Sequence, residues 1–187
     1  MAELVDYSGE FEPEFNFDRF SKQTLLKLIK AYSDYLIKVD AYWYLTVMDK
    51  WGNDEAVDCD IKILKNLSKP YEMKAIDGML NIKGNDVATV MKAIQVTPWG
   101  QAWERWIDLK NKNYATLTTP VCPTLLALEK EGRGRELIIC QVCGITNLGT
   151  QAQLFNHNIK VRPLKLPPRK SKDEIACQWE FTLEESR

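Results

Sequence analysis

This chain of 187 residues has one histidine, no apolar run longer than about five residues (Ala41 to Leu45) and almost no net charge. A membrane-crossing helix needs about 20 apolar residues, so no span is expected. Met1-Ala-Glu-Leu-Val-Asp6 carries neither a basic stretch nor an apolar core, so no secretion signal is read there. Twenty-five basic and 26 acidic residues nearly cancel, which argues against a general nucleic-acid binder. With His157 as the sole imidazole, no Ser-His-Asp arrangement can be argued, and Gly132-Arg-Gly134 is too short for a phosphate loop. What the chain does have is 45% hydrophobic and 10% aromatic residues, enough for one folded domain over residues 1–187.

Five cysteines are present: Cys59, Cys122, Cys140, Cys143 and Cys177. An odd count with no export signal favours reduced thiols in a cytoplasm. Any of the five can be read as a small buried hydrophobe, and Cys59, inside a helical pattern, fits that reading best.

The first twenty residues carry six acids and interleaved aromatics, an arm laid over the domain. The helical part, residues 21–98, follows. Ser21 caps a long helix ending at Gly52, with Leu25, Leu28, Ile29, Tyr32, Leu36, Val39, Trp43 and Val47 in one apolar stripe. Its second half is apolar nearly all round and is expected to be buried. Further helices are read over 54–67, from Pro70 to near Gly84, and from Asn85 or Asp86 to Pro98. Over 101–187 the pattern becomes hairpin, helices, hairpin. Strands flank the Asn111-Lys-Asn113 turn, helices follow Cys122-Pro-Thr and cover 136–156, and strands begin at Ile159 and Ile175. The fold expected is α+β: N-terminal helices packed with an antiparallel sheet of about four strands in two hairpins.

Three places invite chemistry. Cys122, as a helix N-cap followed by Pro123, would face free backbone amides and the positive end of the helix dipole, both of which lower a thiol pKa. It is the candidate nucleophile, with His157 as a base, or else a residue ending a strand and packing inward. Cys140 and Cys143 lie on adjacent turns of one helix. With Cys122 and Cys177 they would offer four ligands suited to zinc or an iron–sulfur cluster. Asp40, beside Trp43 and Tyr44, is either a structural carboxylate or part of an aromatic-lined pocket for a small polar molecule. Lys160, Arg162, Lys165, Arg169, Lys170 and Lys172 make the second hairpin basic, and the acidic arm is expected to dock there.

The stretches Ala41-Tyr-Trp-Tyr-Leu45, Cys122-Pro-Thr124, Pro163-Leu-Lys-Leu-Pro-Pro168 and Asp173-Glu-Ile-Ala-Cys-Gln-Trp-Glu-Phe181 resemble an uncharacterised family of prokaryotic cytosolic proteins. More remotely the chain is similar to the L-2-amino-thiazoline-4-carboxylic acid hydrolase-like family, and its last strand is similar to small-molecule-binding 4-vinyl reductase domains. The resemblance implies helices on an antiparallel sheet, with Cys122, Cys177 and Cys140 in the family's cysteine positions. The hydrolase-like family would imply opening of a cyclic thioether–amidine. The expectation is therefore a small-ligand-binding protein, with zinc or an iron–sulfur cluster held by cysteines. The alternative is a cysteine-dependent hydrolase of a small cyclic amidine or thioether. A homo-oligomer is compatible with either.

Overall fold

The structure, a computed structural model, describes residues 3–67 and 78–184. The helix expected from Pro70 lies mostly outside them. The Ser21 hydroxyl accepts the Thr24 amide at 3.2 Å and opens α1 (Lys22–Trp51). Gly52, at φ +99°, closes it with its amide on the Met48 carbonyl. After α2 (Asn53–Leu67), Asp86 caps α3 (Val87–Val96) by accepting the Thr89 amide at 2.9 Å. Thr97 then ends α3 and caps α4 (Pro98–Ala102), so Pro98 begins a second helix as well as ending the first. The rest is β1 (Trp106–Asn111), β2 (Tyr114–Thr119), α5 (Pro123–Glu131), α6 (Glu136–Phe155), β3 (Ile159–Lys165) and β4 (Cys177–Leu183). Gly132, left-handed at φ +70°, separates α5 from α6, which runs as one helix.

The four strands form one antiparallel sheet in the order β1-β2-β4-β3, so the fold is α+β with its two hairpins side by side. Register aligns Ala115, Phe181 and Val161 in one row and Leu117, Trp179 and Pro163 in the next. That face is dry: Ala115, Leu117, Ile159, Trp179 and Phe181 pack under Val87, Val90, Met91 and Ile94 of α3 and under Leu148 and Ala152 of α6. Fully burying a side chain such as Phe181 contributes about 1.5–3 kcal/mol. The opposite face is polar. Glu180, only 6% exposed, accepts the Tyr114 hydroxyl at 2.8 Å and pairs with Arg162, whose charge holds its carboxyl below the usual range. Gly144 sets the distance between α6 and the sheet, since a Cβ there would lie 2.7 Å from the Trp179 ring.

Helix α1 packs mainly on α2 and α4, with α2 in turn against α6. It is thus an outer layer, and only Ser33 and Val47 of its thirty residues are buried. The expectation that its second half is buried is overturned, and most of the apolar stripe faces solvent. Ile29, Tyr32, Leu36, Val39 and Trp43 are exposed, while the inward line is Ser33, Ile37, Asp40, Tyr44 and Val47. A helix apolar all round does not announce which side is inner.

The acidic arm, too, lies elsewhere. It folds on itself, Tyr7 stacking on Phe15 at 4.5 Å and Phe15 meeting Phe20 edge-on. It then docks on the start of α1, where the Thr24 hydroxyl donates to the Val5 carbonyl at 3.0 Å. The hairpin cations find nearer acids: Arg162 takes Glu180, Lys165 takes Glu174 and Arg169 takes Glu129.

Candidate functional site at the α6 seam

Helix α6 presents its two thiols to two different neighbourhoods. Three residues of helix turn side chains about 60° apart, so Cys140 and Cys143 diverge. Cys140 looks toward Cys122 at the start of α5 and Cys177 at the start of β4, near enough that charge on either thiol raises its own pKa. Cys143 looks toward α1 and α2, where its thiol donates to Asp60.

At the thiol end, Cys122 is the N-cap that the sequence implies, its sulfur accepting the Leu125 amide at 3.5 Å with Pro123 in the first turn. The expected consequence does not follow. Burial pushes the Cys122 thiol up, outweighing the amides of Thr124 and Leu125. It is a protonated, weak nucleophile at neutral pH. Cys140 is pushed up to about 12, by burial first and then by its neighbours Cys122 and Cys177. The Cys177 sulfur accepts the Trp179 indole N–H at 3.4 Å. One turn before Cys140, the Oε2 atom of Glu136 is buried with no hydrogen-bond partner. His157 is exposed on the turn before β3, away from the buried setting of Cys122 at the start of α5.

The four-cysteine ligand set is not assembled. Among the described residues, no group of three or more histidine, cysteine, aspartate or glutamate side chains is arranged to hold a metal ion. Cys143 is instead turned to the Asp60 carboxylate on the other side of the seam, although it stays within electrostatic reach of Cys140.

At the acidic end, Asp40 of α1 and Asp60 of α2 approach each other beside Cys143. Asp40 is pushed up to about 6, by burial first and by the Asp60 charge second. Asp60 is pushed up by burial, against the Cys143 hydrogen bond, and the Cys143 thiol is driven well above its ordinary value. Tyr44 closes the group, its hydroxyl donating to Asn53 Oδ1 at 2.8 Å and its ring lying 5.7 Å from the Arg135 guanidinium. Arg135 is itself committed to Glu131 at 2.6 Å. Among the described residues, neither Asp40 nor Asp60 pairs with a lysine or arginine.

Of the ligand residues read from sequence, Asp40 and Tyr44 therefore converge, while Trp43 lies on the solvent side, 58% exposed. The aromatic-lined pocket is not formed as expected. Two surface depressions, of about 180 Å³ between Ile94 and Ile107 and about 420 Å³ beside Asn111 and Tyr114, include neither the cysteines nor these three residues. Sequence reading missed Asp60, Asn53 and Arg135. Asp60 lies one turn beyond Ala56, which the structure buries on the inner side of α2.

No curated protein matches the chain. Both ends of the seam, from Asp40 to Cys177, fall within residues 18–183, the stretch matched by the family of unknown function DUF6125, and the protein belongs to that family.

Proposed function

We propose that the protein binds a small cationic molecule, an amine or amidine, at the acidic end of the seam between α1, α2 and α6. The observation that carries this reading is the pair Asp40 and Asp60: two half-buried carboxylates from different helices, raised by burial and close enough that the Asp60 charge acts on Asp40, with neither paired to a lysine or arginine among the described residues. Desolvated like charges cost stability unless protonated or met by a positive charge. Groups shifted this way cluster at functional sites. Tyr44 and Asn53 would orient the ligand, and Cys143 would yield its hydrogen bond on Asp60 to a stronger donor.

The test is a thermal-shift titration of the full chain with benzamidine, acetamidine and putrescine. The melting temperature is expected to rise with concentration at neutral pH and to stop rising below pH 6, where Asp40 takes up its proton. The response should vanish in Asp40→Asn/Asp60→Asn and persist in Trp43→Ala. No response to any of the three, or a response surviving the double variant, overturns the reading.

The second reading, a hydrolase of a cyclic amidine or thioether using Cys122, has the cap contact to Leu125 in its favour and burial against it. Alkylation rate against pH separates the two. A midpoint well below the free thiol's value of about 8.5 would restore Cys122 as nucleophile.

A further inference from the structure

The outer surface of α1 is lined by large apolar and aromatic side chains. Along its crest Tyr32, Tyr35, Val39 and Tyr42 are 57, 69, 46 and 71% exposed, spaced by three and four residues. Ile29, Leu36 and Trp43 form one flank at 48, 45 and 58%. No charged residue interrupts this strip, and scattered single apolar residues, normal on any surface, do not line up in this way. Scaled by their fractional exposures, the four aromatics present about 90–180 Å² each and the aliphatics less, so the strip exposes on the order of 700 Å². One partner in a standard-size interface contributes about the same area. Tyrosine and tryptophan, the side chains that dominate binding energy in interfaces, make up four of the seven.

We infer that this strip is a homodimer interface in which α1 packs against α1 of a second copy, antiparallel, about a two-fold axis near Leu36. The pattern is self-complementary under that operation. With the axis at the level of residues 36–37, residues at similar distances from it meet, so Tyr32 lies opposite Tyr42 of the second copy and Tyr35 opposite Val39 (both centred on 37), and Ile29 lies opposite Trp43 along the flank (centred on 36). The three-and-four spacing is that of helix pairs crossing at a shallow angle. On the other flank Lys27 of one copy comes within about a helical turn of Asp49 of the other, and Lys38 lies at the edge with its stem free to turn outward. A parallel pair would instead set the two acidic arms side by side, since each arm is docked at the start of its own α1. A two-fold axis needs one patch that fits itself, and this patch does.

The measurement is the mass of the full chain in solution, by light scattering during size exclusion at micromolar concentration. Wild type is expected at twice 21.6 kDa, and Tyr35→Lys/Tyr42→Lys at half the wild-type mass. Because both tyrosines are solvent-facing, the variant should keep its circular dichroism spectrum and cooperative melting. Leu36→Cys, near the axis, should give a reductant-sensitive dimer on mild oxidation, and Leu28→Cys should not. Monomeric wild type, a dimer that survives the double lysine variant, or equal cross-linking at both positions overturns the inference. The first outcome would assign the strip to a different protein and the last to a parallel pair.

Discussion

The balance between burial and local charge at single residues is what distinguishes this seam. Asp40 has a folded-state pKa of about 6 against 3.8 for the free group. Between those values the folded chain holds a proton that the unfolded chain has released, so stability falls as pH rises from about 4 to 6 and stays lowered above. The full linkage is about 3 kcal/mol. Partial exposure reduces this, and Asp40→Asn should stabilise the protein by about 1–2 kcal/mol at neutral pH and by nothing below pH 4, read from urea unfolding at each pH. Cys122 shows the same balance. Its cap position follows from Cys-Pro-Thr alone, but burial decides its protonation, and burial depends on what α6 and β4 bring over it. Alkylation of Cys122 should therefore titrate at or above the free thiol's value of about 8.5. Gly144 is a third case. Alanine is the better helix former, yet its Cβ would sit 2.7 Å from the buried Trp179 ring. We expect Gly144→Ala to destabilise by about 1–3 kcal/mol despite the propensity gain, measured by thermal unfolding.

At the scale of elements, boundaries were legible and orientations were not. Ser21 and Gly52 mark both ends of α1, Asp86 marks α3, and the alternation from Cys177 to Leu183 marks β4, because caps and period-two patterns are local in sequence. The side of α1 that faces inward is decided by α2 and α4, which no local pattern encodes, and so Trp43 was grouped with Asp40 and Tyr44. Asp60 escaped notice for the same reason, since an acid within Asp58-Cys-Asp60 reads as surface until α6 is laid against it. The loop between β3 and β4 shows how a long-range contact recruits a residue that looks merely basic. Arg169, its side chain 3% exposed, donates to Glu129 of α5 through Nε at 2.8 Å and Nη2 at 2.5 Å, and to the carbonyls of Lys172 and Glu174 at 3.1 Å each. Replacing it with methionine removes four donated bonds and strands their acceptors. A loss of about 2 kcal/mol is expected, with protease sensitivity appearing first within the 166–176 loop.

For the whole molecule the organisation is layered: sheet, then α3 and α6, then α1 and α2. The acidic pair lies between the second and third layers, and the aromatic strip faces outward from the third. Ligand and dimer would thus share α1, one on each side of it. If the strip is the interface, the melting temperature should rise with protein concentration in wild type and be flat in Tyr35→Lys/Tyr42→Lys, because association stabilises only the folded chain. The order of strands has a consequence for synthesis. β4 follows β1, β2 and β3 in the chain, yet it lies inside the sheet, bridging β2 and β3. Until Leu183 clears the ribosome the first hairpin is open on its β2 edge as well as its β1 edge, Phe181 and Trp179 are missing from the core, and α1 waits as an aromatic-rich helix on an unfinished body. Chaperone demand on this chain should therefore persist after β3 has been made and fall abruptly once β4 slides into place between the two strands it bridges.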